Sequence, residues 1–169
     1  MASDVTGRVI AGISNSLAGY EALRYAVALA RQRGVPLVAV RTFSYSRYGG
    51  ARQFERIINE AAQGVVTTAI AEALGGPPRD VPMRVQVVEG VPGPTLAAIA
   101  DRPNDVIVIG GSDHRMFVGR RRGLVARDCS RNAVCPVIVV PMPEMARAGS
   151  EWRLARRAAV EAQQLVRQG

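Results

Sequence analysis

The sequence of 169 residues contains no lysine, a single histidine and only two cysteines. Because His114 is the only histidine, no cluster of histidine, cysteine and carboxylate residues occurs at metal-site spacing, and we interpret His114 as incidental. Cys129 and Cys135 are separated by five residues, which matches neither a zinc motif nor a CxxC redox motif. We therefore expect buried, reduced thiols.

Long apolar runs and nucleophile or phosphate-loop motifs are also missing. No segment approaches the roughly 18 apolar residues that a membrane span needs, and the first residues, MASDVTGR, lack the apolar core of a signal peptide. We therefore expect a cytoplasmic protein with no membrane partner. Neither a GxSxG elbow nor a GxxxxGKS or GxxxxGKT loop occurs. We therefore expect that the protein is not an enzyme, and no motif in the sequence supports even weak ATP hydrolysis.

The absence of lysine makes every basic residue an arginine, and the formal net charge is +8. Arginine stays charged and presents a planar fork of donors that suits phosphate and carboxylate groups, so the surface is expected to attract anions.

Hydrophobic residues make up 48% of the chain, which is sufficient for one packed core. We predict a domain over residues 1–143 and a C-terminal helical extension over residues 144–169.

Five apolar segments alternate with helical patterns. Strands are predicted at 7–13, 37–40, 83–88, 106–109 and 137–140, and helices at 17–33, 54–74, 95–100 and 124–131, with Ser16 as the N-cap of the first helix. The second helix carries its predicted apolar face on Phe54, Ile57, Ile58, Ala61, Val65 and Ala69. Near-continuous apolar strands alternating with helices predict a doubly wound α/β sheet of parallel strands. In such sheets ligands bind beyond the carboxyl ends of the strands.

The loop after the fourth strand is the most informative segment for function. Between Asp113 and Arg131 there are six arginines and two aspartates, a local balance of +4. Backbone amides and the start of the following helix favour negative charge in such a loop. Two interpretations stay open: the arginines form a phosphate or anion site through their side chains, or they are solvated charges that pair with acidic groups elsewhere.

The last residues, 150–168, show the pattern of a further helix. Its narrow apolar face consists of Trp152, Ala155, Ala159, Ala162 and Val166. A face of this kind requires a partner surface, which is the same domain, a second subunit or, as a minor third option, a nucleic acid.

Three segments together resemble the universal stress protein family over about residues 5–141. They are VIAGISNSLAGYEALRYAVALARQRG, EGVPGPTLAAIADRPNDVIVIGG and GLVARDCSRNAVCPVIVVP. The resemblance implies a Rossmann-like five-stranded parallel sheet of the adenine nucleotide alpha hydrolase type, with strand order 3-2-1-4-5 and helices on both faces. It further implies homodimers, often paired through the last strand, and a role in stress or dormancy physiology.

Part of that family binds ATP through a glycine motif that this sequence carries in altered form. Aligned from Cys135, the motif positions hold Gly110, Asp113, Gly123 and, at the hydroxyl position, Leu124. The resemblance places the acidic ribose- or base-binding position of the family on Ser14 and its adenine-contacting position on Thr42. The candidate nucleotide or anion pocket is therefore Ser14, Thr42, Gly110, Asp113, Arg120, Arg121, Arg122, Gly123 and Leu124.

The departures from the motif have physical consequences. A side chain at Asp113 obstructs close backbone approach and adds negative charge, Leu124 has no donor for a phosphate oxygen, and Ser14 is shorter than a carboxylate and neutral. We therefore predict a homodimeric stress-response module with an altered nucleotide pocket. The alternative is a switch that binds ATP, or another adenine nucleotide, through Arg120–Arg122. A basic nucleic-acid binder is a weaker alternative, because interleaved aromatic residues are missing.

Overall fold

A computed structural model of the protein describes residues 7–43, 52–111 and 124–144. These residues form the strands β1 (Val9–Gly12), β2 (Leu37–Phe43), β3 (Met83–Glu89), β4 (Val106–Gly110) and β5 (Val137–Val140), and the helices α1 (Leu17–Arg33), α2 (Arg52–Leu74), α3 (Pro92–Ile99) and α4 (Leu124–Asn132). All neighbouring strands are parallel, and the sheet order is β3-β2-β1-β4-β5. The predicted fold class and strand order are confirmed.

Helix α1 begins and ends where its capping residues predict. The hydroxyl of Ser16 accepts a hydrogen bond from the backbone N–H of Gly19 at 3.0 Å, which satisfies one of the free donors of the first turn. Gly34 ends the helix with φ of 64°, a left-handed conformation that glycine adopts without steric cost. Between these caps a row of small and aliphatic side chains faces the sheet, consisting of Ala18, Ala22, Leu23, Ala26, Val27 and Ala30.

Three elements differ most from their predicted form. Strand β2 continues to Phe43, three residues beyond the predicted end at Val40. Helix α3 begins at Pro92 rather than Thr95, because proline has the dihedral angle of a first helical residue and needs no N–H there. Helix α2 buries Ala62, Val66, Ala69, Ile70 and Ala73, so Ala69 is confirmed and most of the buried row lies one residue further along than predicted; the side chain of Phe54 lies outside the described ones. The side chain of Ile57 is instead 57% exposed. Helix α2 carries two adjacent apolar rows, and periodicity alone does not decide which of them faces the sheet.

The sheet separates two apolar layers. Helices α1 and α2 cover one face, where the central strands contribute Val9, Leu37 and Val108. On the other face, with α3 and α4, Cys129 is fully buried among Ile10, Val40, Leu96 and Ile107. Burial raises the pKa of Cys129 to about 11, so the thiol stays protonated at neutral pH. Cys135 is also a free thiol but is only half-buried, so the prediction of burial is confirmed for Cys129 alone.

A buried ion pair joins the amino ends of β1 and β4. The Asp105 carboxylate is 0% exposed and accepts the backbone N–H of Arg8 at 2.6 Å, Arg8 Nη2 at 2.6 Å and Arg8 Nε at 3.2 Å. The backbone N–H of Arg102 lies 3.4 Å from the same carboxylate. Burial by itself raises the pKa of Asp105, but these donors outweigh it and hold that pKa below its ordinary value. Asp105 is therefore ionised and paired with Arg8 in the folded protein at neutral pH.

Residues 150–168, and with them the predicted C-terminal helix, lie outside the described residues. Among the residues that are described, no helix is both long and apolar enough to cross a membrane.

We expect Arg8→Met to lower the free energy of unfolding by about 3 kcal/mol at pH 7, because it leaves the buried Asp105 charge without its main partner. The loss will be largest above about pH 4 and will shrink as the pH falls further. The reason is that a carboxylate with a lowered native pKa contributes stability above its unfolded pKa and loses that contribution as it is protonated. Urea denaturation at pH 7, 4 and 3 measures both effects.

The control is Arg31→Met, which breaks the exposed pair between Arg31 and Asp80 and is expected to cost less than about 1 kcal/mol. An equal loss of unfolding free energy in Arg8→Met and Arg31→Met would show that the buried pair contributes no more than the exposed one.

Candidate functional site

The carboxyl ends of β1, β2 and β4 lie side by side at one edge of the sheet. Gly12 is paired with Val40, and the N–H of Ile13 donates to the carbonyl of Val40 at 2.8 Å. Ser14 follows the end of β1 by two residues, and Thr42 lies in β2 two residues beyond Val40, so both hydroxyl-bearing residues lie at this edge of the sheet.

Ser14 is tied to the first turn of α1. Its hydroxyl lies 3.0 Å from the hydroxyl of Ser16, which in turn accepts from the N–H of Gly19. A Cβ atom at Gly19 would lie 2.1 Å from the Ser14 hydroxyl oxygen, so a side chain there would displace Ser14. The position expected to carry a ribose- or base-binding acceptor therefore presents a neutral hydroxyl beside a helix N-terminus, where partial positive charge favours anions.

Gly110 ends β4 against the backbone of α1. A Cβ atom at this position would lie 2.6 Å from the carbonyl carbon of Ala18 and 2.7 Å from its oxygen and from the nitrogen of Gly19. The contacts are with backbone, which cannot turn aside as a side chain would. The first predicted glycine of the pocket is therefore required for the close approach of strand and helix, whatever it binds.

The remaining predicted pocket residues divide between the described and the undescribed parts of the chain. Thr42 is half-buried within β2, and Leu124 opens α4 with its side chain 38% exposed. Asp113, Arg120, Arg121, Arg122 and Gly123 lie outside the described residues. The described geometry thus places Ser14, Thr42 and Gly110 at the carboxyl edge of three neighbouring strands, and it leaves the arginine-rich loop as a prediction.

Arg41 is a polar residue of this edge that the sequence analysis missed. It is half-buried near the end of β2, and its Nη1 donates to the carbonyl of Ile13 at 3.0 Å, directly before Ser14. Its Nε is buried and, among the residues that the structure describes, has no hydrogen-bond partner. The signal in the sequence is an arginine that interrupts the apolar run LVAV within the strand rather than after it.

The loop after β3 continues the edge beside β2. The N–H of Gly90 donates to the carbonyl of Phe43 at 2.8 Å, which joins this loop to the end of β2. Gly90 has φ of 151°, and a Cβ atom there would lie 2.3 Å from the hydroxyl oxygen of Thr95. Both the conformation and the space therefore require glycine. Within residues 7–43, 52–111 and 124–144, no group of three histidine, cysteine or acidic side chains is arranged to hold a metal ion.

The family model of the universal stress protein family matches residues 6–141. The chain belongs to the universal stress protein family. A comparison with curated protein sequences gives no match. The predicted resemblance is therefore confirmed over most of the chain, including every strand and helix described above.

Solved structures of universal stress proteins share the fold. The universal stress protein UspA from Lactobacillus plantarum superposes with a TM-score of 0.59 at 19% identity, with 79% of this chain and 97% of that chain covered. Hypothetical protein MJ0577 gives 0.63 at 14% identity, with coverage of 82% and 98%. The universal stress protein from Archaeoglobus fulgidus, solved in complex with dAMP, gives 0.51 at 23% identity, with coverage of 80% and 97%. At these identities the likeness establishes the fold alone.

We predict opposite effects for two glycine-to-alanine substitutions. Gly110→Ala inserts a methyl group into the backbone of α1 and is expected to destabilise the protein by about 1–3 kcal/mol. Gly64→Ala, within α2, meets no atom within 4 Å and is expected to stabilise the protein by up to about 1 kcal/mol, because alanine favours helix more than glycine does. Thermal and urea unfolding measure both changes. A neutral Gly110→Ala would show that β4 and α1 do not approach as closely as described.

Proposed function

We propose that this universal stress protein, a stress-response module of its family, binds an adenine nucleotide or a related anion at the carboxyl edge of the sheet. The observation that carries the proposal is that the carboxyl ends of β2, β1 and β4 adjoin, with Thr42 in β2, Ser14 two residues after β1 and Gly110 against α1. Ligands of doubly wound sheets bind at this edge. The bound dAMP in the Archaeoglobus fulgidus protein supports an adenine nucleotide as the ligand.

The proposed pocket differs from the motif of the ATP-binding branch. Leu124 offers no donor to a phosphate oxygen, and Ser14 offers no negative charge to a ribose or base donor. Each lost charge-assisted hydrogen bond weakens binding by about 1.5–3 kcal/mol. We propose that Asp113 adds repulsion and that Arg120, Arg121 and Arg122 supply the positive charge for phosphate.

We further propose that the module binds and signals rather than catalyses, and that it acts in the cytoplasm. The support is the composition of the predicted pocket, which combines hydroxyls, glycines and arginines but has no paired acid and base. The comparisons favour neither the ATP-binding switch nor the nucleic-acid binder over this function.

Restoring the motif is expected to restore ATP affinity. Asp113→Gly with Leu124→Ser removes a repulsive charge and adds a phosphate donor, so ATP affinity measured by isothermal titration calorimetry should rise at least about tenfold. The matched substitution Asp80→Gly with Val134→Ser, both at exposed positions near the opposite end of the sheet, controls for changes in charge and surface polarity.

Variants of the arginines separate this function from the ATP-binding switch. Micromolar ATP affinity in the unaltered protein, abolished by replacing Arg120, Arg121 and Arg122 with alanine, would contradict the altered pocket and support the switch. The control replaces Arg33, Arg79 and Arg84, which are exposed, and removes the same charge. Affinity that falls equally in both triple variants would point to nonspecific attraction.

We also propose a homodimer that forms through β5, through the C-terminal helix, or through both. β5 is an edge strand in the sheet order, so no strand of the described residues pairs with the outer side of its backbone. Val139 of β5 is 45% exposed, although the strand consists only of valine and isoleucine. An apolar, unpaired edge of this kind is a pairing surface.

A charge on this edge is expected to weaken the dimer. Val139→Glu should shift the protein from dimer to monomer in size-exclusion chromatography with light scattering, because an unpaired charge would be buried between the strands. Val85→Glu, on the opposite edge strand β3, is the control and should leave the mass unchanged. A dimer that survives Val139→Glu but is lost when residues 144–169 are deleted would assign the interface to the C-terminal helix.

A further inference from the structure

The guanidinium of Arg41 lies at the carboxyl end of the sheet. Nη1 donates to the Ile13 carbonyl at 3.0 Å, and the buried Nε has no partner among the described residues. A guanidinium carries five N–H donors in a planar fork that suits the oxygens of a phosphate or carboxylate, so the single bond to Ile13 leaves donors of this group for an oxyanion.

No carboxylate of the described residues neutralises Arg41. Glu89 is exposed at the end of β3 and is paired in register with Phe43, but it forms no ion pair with Arg41 among the described contacts. Glu21, on the first turns of α1, pairs with Arg24 instead. Within residues 7–43, 52–111 and 124–144, the charge of Arg41 therefore has no acidic partner.

The position of Arg41 determines which part of a ligand it can reach. Arg41 lies on β2, Gly110 lies on β4, and β1 separates the two strands. The guanidinium, however, reaches across to the end of β1, where Nη1 donates to the carbonyl of Ile13 at 3.0 Å. Ile13 directly precedes Ser14, whose neutral hydroxyl replaces an acceptor for ribose hydroxyls.

We propose that Arg41 binds a phosphate carried on the ribose, so that the cleft prefers nucleotides phosphorylated at the ribose 2′ or 3′ position. The inference rests on the nucleotide-binding function proposed above. Its chemical precedent is the dinucleotide-binding type of doubly wound sheet, in which a carboxylate accepts from a free ribose hydroxyl, whereas an arginine accommodates a ribose phosphate. Here Ser14 and the Arg41 guanidinium together form the second kind of surface.

Calorimetry with 5′-AMP, adenosine 2′,5′-bisphosphate and adenosine 3′,5′-bisphosphate tests the proposal. At least one bisphosphate is expected to bind about tenfold or more tightly than 5′-AMP, since a phosphate held by a guanidinium adds charge-assisted hydrogen bonds. Arg41→Met should reduce this ratio to about one. Arg41→Lys keeps the charge but loses the planar fork, and should give an intermediate ratio.

The control Arg84→Met removes an exposed arginine from β3 and should preserve the ratio. Equal affinity for 5′-AMP and both bisphosphates, or a preference that survives in Arg41→Met, would overturn the role of Arg41 while leaving the proposed function intact. A preference for 5′-GMP that Arg41→Met abolishes would instead show that Arg41 binds the base, and would also overturn it. Failure of every nucleotide to bind would overturn the proposed function itself.

The urea midpoint of each variant shows whether that variant is folded. If Arg41→Met does not fold, the bisphosphate preference of Arg41→Lys decides the outcome.

Discussion

The ion pair between Arg8 and Asp105 sets the register on which the rest of the sheet edge depends. It joins residues 97 positions apart in the sequence and sits directly below the first pair of β1 and β4, Val9 with Val106. The N–H of Val106 donates to the carbonyl of Arg8 at 2.9 Å, which continues the same attachment. Because a shift of one residue would turn every side chain to the other face, fixing the amino ends also fixes the level at which Ser14 and Gly110 leave the sheet.

The carboxyl ends are held together by small residues rather than by charge. Gly110 allows β4 to meet α1, and Gly12 sits where a Cβ atom would lie 2.9 Å from a side-chain carbon of Ile109 and 3.0 Å from one of Leu96. Strands and helices therefore converge on this edge more closely than side chains would permit. The edge has little room for adjustment, so a ligand there meets the positions of hydroxyls and donors that the register has already determined.

The sequence predicted the parts of the fold that local chemistry decides. Ser16 and Gly34 bound α1 because capping is a property of a few adjacent residues, and the strands stand out because their apolar runs are nearly continuous. The buried face of α2 was not predictable, since Ala61 and Ala62 are equally apolar and only contact with the sheet distinguishes them. Arg41 was missed for the same reason: its significance comes from the Ile13 carbonyl on another strand.

The arginines of the described residues differ in the groups that they bind. Asp105 is occupied by Arg8, Asp80 by Arg31 and Glu21 by Arg24. Arg41 donates to a carbonyl, which is neutral, and it has no acidic partner among the described residues. In a chain of net charge +8, an arginine fixed by a neutral acceptor and half-buried at a strand end favours an anionic ligand. The inferred role of Arg41 therefore complements the proposed loss of a carboxylate contact at Ser14.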